Sequence, residues 1–391
     1  MSTLFNVSPR PEYFSPEHEE FRRTVRAFVE REIAPHVNEW DEAGTFPREL
    51  YRKAAAIGII GLGYPEEYGG TPADQFYSIV SAEEIARAGC GGLQASLGSH
   101  GIGMPPVVAH GSEALKRRVL PPVIRGEKIA ALAITEPGGG SDVAALKTTA
   151  VRDGDHYVVN GEKTFITSGM RADFLSVAVR TDPANRGPGG VSLLLIDGDT
   201  PGLSRSELKK MGWWCSDTAH LHFDSVRVPA DHLIGEENAG FRMIMANFNG
   251  ERLLMSAGAC AFAQVCLDEA LDWARQRKTF GQALVEHQVV RHKLMDMRMH
   301  LRASEAMLQD VTARFEAHPA DPETVADLCL LKNQTTQTLQ HCADAAVQIL
   351  GGMGYMRGTK SERIYREVKV MMIGGGAEEI MKELAAKQLG L

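Results

Sequence analysis

Residues 218–241, "TAHLHFDSVRVPADHLIGEENAGF", contain the change of pattern that decides the fold. The first half of this segment alternates apolar and polar residues, which is the period of a half-buried β-strand. From Phe241 onward the apolar residues recur instead at the spacing of a helix. Upstream, short strand-like runs separated by glycine-rich turns, the pattern of antiparallel strands, reach back to about Lys128. The segment therefore predicts the junction between a β domain and a following helical domain.

The residues before Lys128 are predicted to be helical throughout. At Ser15 a Ser-Pro-Glu sequence offers a cap, a first turn and an early acid. The apolar residues that follow share one helical face: Phe21, Val25, Phe28, Val29 and Ile33. The order of patterns predicts an α+β protein of three domains, at residues 1–128, 129–238 and 239–391.

Long amphipathic patterns fill the last of these domains. We expect helices from about Glu251 to Lys278, Glu286 to Ala317, Pro322 to Leu350 and Glu362 to Leu391. Helices of this length indicate lengthwise packing, as in a bundle or an oligomer core.

Composition excludes several classes of function. With 44% hydrophobic residues, 24% charged residues and a formal net charge of -8, the chain has the composition of a globular protein without a nucleic-acid partner. The N-terminus lacks the basic and apolar regions of a signal peptide. No stretch approaches the roughly 18 uncharged apolar residues of a membrane span. We therefore expect a cytoplasmic protein with no membrane span.

The six cysteines show neither a C-x-x-C motif nor a regular spacing with histidine. This pattern predicts no metal site and no disulfide framework, and it favours buried free thiols. The six lie at positions 90, 215, 260, 266, 329 and 342.

Two glycine-rich or aromatic stretches of the β domain are candidates for ligand binding. The turn in "AITEPGGGSD", residues 133–142, can present backbone N–H groups and the Ser141 hydroxyl to an anionic or carbonyl oxygen. It fits neither the Walker pattern nor the dinucleotide fingerprint. In "NGEKTFITSG", residues 160–169, Phe165 and Thr167 lie on one side of a predicted strand, where they could cover a flat heterocycle. A structural turn and ordinary strand packing explain the two stretches equally simply.

Two stretches of the helical domain also allow two interpretations. "RKTFGQALVEHQ", residues 277–288, places Arg277 where it can pair with a phosphate or with a helix C-terminus. "QILGGMGY", residues 348–355, ends a helix on Gly351 and Gly352, which suits a C-cap and also the close approach of a ligand.

The stretch "NGERLLMSAG", residues 249–258, places an acid and a base before an apolar run. Glu251 is interpretable as an ordinary first-turn acid, which gains about 0.3 to 1 kcal/mol from the helix dipole. It is also interpretable as a carboxylate positioned to take a proton. Position alone leaves both interpretations open.

Five stretches, in this order on an α-β-α chain, resemble the acyl-CoA dehydrogenase family from Ser15 to the C-terminus. They are "ITEPGGGSD", "GEKTFITSG", "MGWWCSDTAHLHFDSVRVPADHLIGEENAGF", "RKTFGQALVEHQ" and "QILGGMGY". The resemblance implies a helical N-terminal domain, a central β-barrel-like domain and a C-terminal four-helix bundle. It also implies a homotetramer that holds FAD between domains and across a subunit interface.

The resemblance assigns cofactor contacts to two sets of residues. In the β domain, the backbone around Leu132 and Ile134, the Thr135 side chain and the Gly140–Ser141 turn would contact the flavin and its pyrophosphate. Phe165 would lie against the isoalloxazine ring, where the family often has Trp, and Thr167 would bond near flavin N5. The neighbouring subunit would hold the pyrophosphate and adenosine with a further set: Arg277, Phe280, Gln288, Gln348, Gly351 and Gly352.

One departure from the family pattern concerns the catalytic base. Many members carry a Glu in the loop before the last helix, but this chain reads "IGGGAEEI", with Gly375 at that position. In long-chain and isovaleryl members the base is instead the Glu of a Glu-Arg pair in the bundle, which Glu251 and Arg252 match. The resemblance therefore implies that Glu251 is the base, that Arg252 contacts the CoA thioester and that Gly375 supplies an N–H to the thioester oxygen.

Glu378 and Glu379 lie past the position of the base and are interpreted as helix-start acids, with Glu379 near the adenine. Ser141 is expected at the substrate entrance as well as at the pyrophosphate.

The implied activity is FAD-dependent α,β-dehydrogenation of an acyl-CoA to its trans-2-enoyl form, with an electron-transfer flavoprotein as electron acceptor. Glycines at 374–376 favour a medium-to-long or branched acyl chain, since Gly374 replaces a frequent aromatic residue. Two alternatives remain open at this stage. One is an acyl-CoA oxidase or flavin monooxygenase of the same fold, and the other is a silent thioester-binding flavoprotein in which Glu251 only pairs with Arg252.

Overall fold

The computed structural model describes residues 10–391, and the first third of this range is helical, as the sequence predicts. The first helix is capped by Ser15, whose hydroxyl accepts a hydrogen bond from the His18 N–H. A π-helical turn at Val29–Ile33 follows it. The α-helices of this part are α1 Pro16–Phe28, α2 Val37–Ala43, α3 Glu49–Ala56, α4 Gln75–Ala86, α5 Gly91–Leu97, α6 His100–Gly103, α7 Pro105–His110 and α8 Glu113–Ile124.

The middle part forms one eight-stranded sheet. Its strands are β1 Ala130–Ala133, β2 Thr149–Asp153, β3 His156–Thr167, β4 Phe174–Arg180, β5 Val191–Asp197, β6 Leu203–Glu207, β7 Thr218–Pro229 and β8 Leu233–Ile234. The strand order is β6-β7-β3-β2-β4-β5-β8, and β1 lies beside β4. Buried residues from alternate positions of these strands form the core of this part.

Most strand pairs are antiparallel, but β1 pairs with β4 in parallel. The prediction of antiparallel strands is therefore wrong for β1. The hairpin of β2 and β3 lies between these two strands in sequence, so no tight turn joins them and no local signal marks their direction.

Long helices form the C-terminal part. They are α9 Gly240–Gln276, α10 Gln288–Ala317, α11 Pro322–Leu350, α12 Gly352–Tyr355, α13 Lys360–Ile373 and α14 Glu378–Gln388. A short hairpin of β9 Lys278–Thr279 and β10 Gln282–Ala283 connects α9 to α10. α9 packs against α4, α10, α11 and α13, and its buried residues share one core with Phe14, Phe76 and Ile79 of the N-terminal part.

Two predicted helix boundaries are wrong. α9 begins at Gly240 rather than at Glu251, because the Asn249-Gly250 pair does not interrupt it. A single glycine costs a helix only about 1 kcal/mol, and tertiary packing outweighs this amount. The helix expected from Glu362 to Leu391 is divided into α13 and α14, because Gly375 and Gly376 adopt φ angles of +67° and +117°.

α9 also departs from the expectation that no segment approaches the composition of a membrane span. It contains an 18-residue window with a mean hydropathy of 1.3, which satisfies the length and composition of such a span. However, 61% of that window is buried inside the protein. Helices on several sides of α9 account for its apolar composition, as in the core helix of a bundle.

Candidate active site

One side of α9 faces the loop between α13 and α14. The Arg252 guanidinium donates from Nε to the carbonyl oxygen of Gly375 at 3.0 Å. Met255 Sδ lies 3.0 Å from the point where a Cβ on Gly375 would stand. Residues four apart share a helix face, so Glu251 lies on the same face as Met255. The structure thus brings Glu251, Arg252 and Gly375 to one site.

Glu251 lies well inside a 37-residue helix, so its interpretation as a first-turn acid is wrong. Burial raises the pKa of its carboxyl to about 7, although Arg252 and Lys332 favour the charged form. Among residues 10–391, no group donates a hydrogen bond to this carboxyl. Glu251 therefore has free lone pairs and titrates near neutral pH, as a general base requires.

Arg252 is directed at the loop rather than at its sequence neighbour. Its side chain is only 4% exposed, and it donates from a terminal nitrogen to Asn249 Oδ1 at 2.9 Å. Its guanidinium carbon lies 5.7 Å from the centre of the Phe248 ring. In the described chain, no ion pair within 4.0 Å joins it to Glu251. The interpretation of Glu251 as a partner of Arg252 alone has no support in this geometry.

The glycine loop at 374–376 is shaped by close contacts. A Cβ on Gly376 would lie 2.3 Å from Met381 Cε, and one on Gly374 would lie 3.0 Å from the Val370 carbonyl oxygen. Met255 partly fills the space that a side chain at Gly375 would occupy. Within residues 10–391, the Gly375 N–H has no acceptor and is available to a ligand.

Lys332 of α11 holds the other side of this loop. Its Nζ donates to the carbonyl oxygens of Met372 at 2.7 Å and Gly376 at 2.8 Å. The side chain is fully buried, and burial lowers its pKa to about 8 although Glu378 and Glu251 favour the charged form. Lys332 was not among the residues expected from sequence. The available signal was a lysine within the apolar stripe of a long helix.

The turn that follows β1 is fixed by two residues of β3. Thr164 donates from its backbone N–H to the Thr135 carbonyl oxygen at 2.8 Å. The buried Lys163 donates from Nζ to the Ile134 carbonyl oxygen at 2.9 Å and to Glu136 Oε1 at 2.8 Å. Burial would raise the pKa of Glu136, but Lys163 and nearby N–H donors lower it overall. No sequence motif indicates this ion pair, because its members are separated by 27 positions.

Other predicted cofactor residues lie around the same turn. Leu132 is half-buried in β1, and Ser141 is exposed after the glycine run. A Cβ on Gly140 would stand 3.5 Å from Thr135 Cγ2, so the glycine run folds back over Thr135.

Phe165 projects from an irregular part of β3. The pairing of β3 with β7 shifts register between Lys163 and Ile166, and Phe165 adopts a φ angle of +61°. This conformation costs an aromatic residue about 1 to 3 kcal/mol, and it leaves the ring 69% exposed. Thr167 is half-buried, whereas the intervening Ile166 is buried. An exposed aromatic ring and a hydroxyl thus share one side of the strand.

Helix α6 connects this part of the sheet to α9. Asn247, one turn before Glu251, donates from Nδ2 to the Ile102 carbonyl oxygen at 2.8 Å. Ser176 Oγ of β4 donates to the Gly103 carbonyl oxygen at 2.6 Å. A Cβ on Gly103 would lie 3.0 Å from the Ala131 backbone. The helix of Glu251 and the strand before Thr135 are therefore fixed to each other through two bonds and one close contact.

The second predicted cofactor set is exposed. Phe280 is 98% exposed and, at a φ angle of +51°, stands at the tip of the β9–β10 hairpin beside His287. No hydrogen bond or ion pair in the described chain joins this set to Glu251, Thr135 or Phe165. The set consists of Arg277, Phe280, Gln288, Gln348, Gly351 and Gly352.

Glu378 and Glu379 open α14, as the sequence predicts. Glu378 accepts a hydrogen bond from Gln337 Nε2 at 2.9 Å, and Glu379 is exposed. Both carboxylates therefore lie in the first turn, where the helix dipole favours negative charge.

Two cysteines that are distant in sequence lie together at the junction of the helical and β parts. Cys90 Sγ is 3.3 Å from Cys215 Sγ, and Asp41 offers a carboxylate oxygen within 4.8 Å of both sulfur atoms. The bond with Cys215, burial and the nearby Glu367 raise the pKa of the Cys90 thiol. Cys90 is therefore protonated at neutral pH, and buried thiols of this kind are unreactive.

The structure combines a helical part, a sheet and a helical bundle with a carboxyl that has no hydrogen-bond partner within residues 10–391. Family models match almost the whole chain. The N-terminal domain of acyl-CoA dehydrogenase matches residues 15–127, the middle domain 131–226 and the C-terminal domain 238–390. The chain belongs to the acyl-CoA dehydrogenase family, whose members depend on FAD.

Individual proteins agree with this assignment. The mitochondrial long-chain specific acyl-CoA dehydrogenase of Sus scrofa is 36% identical over 378 residues, which are 96% of this chain and 87% of the relative. A crystal structure of a putative acyl-CoA dehydrogenase from Mycobacterium smegmatis is 46% identical, with a TM-score of 0.94 over 97% of this chain and 99% of that chain. A glutaryl-CoA dehydrogenase from the same genus and species, in complex with FADH2, is 25% identical, with a TM-score of 0.91 over 99% and 97% of the two chains. The fold predicted from sequence is confirmed.

Proposed function

We propose that the protein oxidises a medium-to-long or branched acyl-CoA to its trans-2-enoyl form, with Glu251 as the base that takes the α-proton. The observation that carries this proposal is the state of the Glu251 carboxyl. Burial raises its pKa to about 7, no donor among residues 10–391 occupies its lone pairs, and the adjacent Arg252 bonds to the loop of Gly375.

The α-proton of a thioester is weakly acidic, so its removal needs stabilisation of charge on the thioester oxygen. A preorganised N–H donor in a site that excludes water provides this stabilisation. The Gly375 N–H is free, and the bond from Arg252 to the Gly375 carbonyl fixes the peptide that follows. A bound acyl chain would remove further water from Glu251, which strengthens it as a base.

The residues of the sheet fit a flavin. Phe165 keeps a strained backbone and an exposed ring that no neighbour within residues 10–391 explains, and Thr167 offers a hydroxyl on the same side. The turn at Thr135, Gly140 and Ser141 would hold the remainder of the cofactor. FAD bound there would supply the acceptor for the hydride that leaves Cβ.

The acyl-chain class is inferred from the residues around the loop. Glycines at 374–376 leave the loop without side chains, and the flexible thioether of Met255 borders it. Methionine adapts to ligands of different shape. We therefore infer a site that accepts medium-to-long or branched chains.

We further propose a homotetramer that transfers its electrons to an electron-transfer flavoprotein. The six exposed residues of the second cofactor set would then complete the site of a neighbouring subunit. The almost fully exposed Phe280 and the exposed Met295 and Met299 of α10 support such an interface. A cytoplasmic location stays a prediction.

The test is an anaerobic titration of the FAD-loaded protein with a panel of CoA esters, followed by flavin absorbance. We expect bleaching by medium-to-long or branched esters, and a loss of bleaching in Glu251→Gln with FAD content unchanged. Glu383→Gln, which changes an exposed carboxylate of α14, is the matched control.

Three outcomes contradict the proposal. A flavin that no thioester bleaches indicates a silent binding protein. Bleaching of Glu251→Gln at the parent rate excludes Glu251 as the base. Rapid release of hydrogen peroxide without an added acceptor indicates an oxidase.

A further inference from the structure

Two buried cations from different helices bond to the glycine loop and to the helix end before it. Lys332 of α11 bonds to the carbonyls of Met372 and Gly376, and Arg252 of α9 bonds to the carbonyl between them in the loop, that of Gly375. Met372 lies in the last turn of α13, where carbonyl groups lack partners within the helix. The three bonds therefore fix the end of α13 and two of the loop residues.

The loop cannot fix itself by side-chain packing. It consists of three glycines followed by Ala377, and glycine has more conformational freedom to lose than any other residue. Gly375 and Gly376 both adopt positive φ angles, and neither has a side chain whose packing could stabilise this conformation. The order of the Gly375 N–H therefore depends on contacts from outside the loop.

Lys332 is an unusual residue to find buried. Its side chain has no exposed surface, and in the described chain no carboxylate lies within 4.0 Å of its Nζ. A buried charge without a direct partner is costly, so a residue of this kind is rarely retained for packing alone. The charged and titratable groups that face it are Glu251 and Arg252 of α9, Cys329 of α11 and Glu378 of α14.

On the basis of the proposed function, we propose that Lys332 is a positioning residue for proton abstraction. It holds the Gly375 N–H at a fixed place opposite Glu251, and its charge stabilises the ionised form of Glu251. Arg252 supports the same loop but also lies among the groups assigned to the thioester. Lys332 bonds only to backbone, so it acts through the loop and through charge.

The decisive variant is Lys332→Met, which keeps the length of the side chain and removes its donors and charge. We expect flavin reduction by a good acyl-CoA to become about tenfold slower or worse, because a small displacement of a donor has effects of this size. Loss of the charge also moves the acid limb of the rate against pH upward by about one unit, since Glu251 then holds its proton more tightly. Lys332→Arg should recover most of both effects.

The structural readout is amide hydrogen exchange in the FAD-loaded protein. Exchange should increase at residues 372–377 in Lys332→Met and remain unchanged in the sheet. Lys382→Met, at an exposed lysine of α14, is the control for loss of a positive charge in the same part of the chain. If Lys332→Met does not load FAD, Lys332→Gln takes its place, because the glutamine amide keeps N–H donors but carries no charge.

The outcomes separate this inference from the proposed function. If no thioester bleaches the parent flavin, the proposed function is wrong. If the parent is bleached and Lys332→Met, or Lys332→Gln in its place, retains the parent's rate, acid limb and loop exchange, only the role of Lys332 is wrong. A loss of stability with an unchanged acid limb also overturns it, since a purely structural lysine would give that result.

Discussion

Two glutamates of the helical domain, Glu251 and Glu367, have the same direction of pKa shift and entirely different surroundings. Burial raises the pKa of both Glu251 and Glu367 to about 7. Glu367 accepts hydrogen bonds from the backbone N–H groups of Gly91 at 2.7 Å and Gly92 at 3.4 Å. Glu251 accepts none from the described chain. The two carboxyls therefore differ in their free lone pairs rather than in their pKa, and only Glu251 has the lone pairs that its proposed role as a base requires.

The position of each glutamate explains the difference. Glu367 is only 2% exposed and connects α13 to the start of α5, close to Asp41, Arg363 and Arg366. Its carboxyl joins two parts of the chain, so its bonds stabilise the fold. Glu251 is only half-buried and lies beside Arg252, which bonds to the glycine loop, so its carboxyl is accessible to a ligand.

The largest expected effect is a difference between the two carboxyls in the rate of flavin reduction. Glu251→Gln should slow flavin reduction by about 10² to 10⁴-fold, the usual contribution of a general base. Glu367→Gln should change that rate less than about tenfold, because no reacting atom depends on it. Stopped-flow measurement under anaerobic conditions compares the two. If both variants slow flavin reduction to a similar extent, free lone pairs do not distinguish the role of Glu251 from that of Glu367.

Stability should show the opposite order, with a larger loss in Glu367→Gln than in Glu251→Gln. Glu367→Gln leaves at least one buried N–H group without its charged acceptor, at a cost of about 1 to 3 kcal/mol. Glu251→Gln removes a desolvated charge that has no partner, so we expect no loss of stability at pH 8. Thermal unfolding of the FAD-loaded proteins is the measurement. A lower melting temperature for Glu251→Gln than for Glu367→Gln would contradict the comparison.

A substitution at Gly375 tests the N–H group that is proposed to bond to the thioester oxygen. Alanine at Gly375 must adopt a φ angle of +67° and place its Cβ 3.0 Å from Met255 Sδ. We expect flavin reduction to be about tenfold slower, because the N–H shifts relative to the substrate. Gly390→Ala is the control, since Gly390 has a φ angle of +79° and open space around it. Equal activity in the two variants would show that the loop position does not matter.

The smallest effect concerns stability against pH. Both carboxyls have an ordinary pKa of 4.5 that rises to about 7 in the folded state. Between these values the folded protein binds more protons than the unfolded chain, so stability falls as pH rises and then levels off above about pH 7. Each Gln variant should therefore show a shallower decline between pH 5 and pH 7 in urea unfolding. Parallel curves for parent and variants would mean that neither carboxyl is desolvated.

The sequence predicts the parts of the fold that local chemistry determines. α11 runs from Pro322 to Leu350, as expected from a proline at its start and Gly351 at its end. The predicted start of α9 was wrong because Asn249-Gly250 is a local signal for a helix end. The helix continues through this pair because of contacts between distant residues, such as that of Asn247 with Ile102. The parallel direction of β1 and the Cys90–Cys215 contact depend on distant pairs in the same way.

The candidate site was predictable where the family pattern names a residue. Glu251, Arg252 and Gly375 were all expected, and the structure brings them together. Lys332 was missed because no short motif surrounds it and its partners are backbone carbonyls 40 and 44 positions away. The filling of the space beside Gly375 by Met255 was missed for the same reason.

On the roles proposed for Glu251 and Arg277, the unbroken course of α9 implies that a working site needs more than one chain. The helix carries Glu251 near one domain junction and ends at Gln276, roughly 40 Å away at 1.5 Å per residue. Arg277 follows that end directly, so a straight rod separates the two side chains by more than the length of a flavin nucleotide. On the proposed roles, Glu251 acts in the site of its own chain, whereas Arg277 at the other end of α9 contacts the cofactor of the neighbouring subunit. The smallest unit capable of turnover is then larger than a single polypeptide.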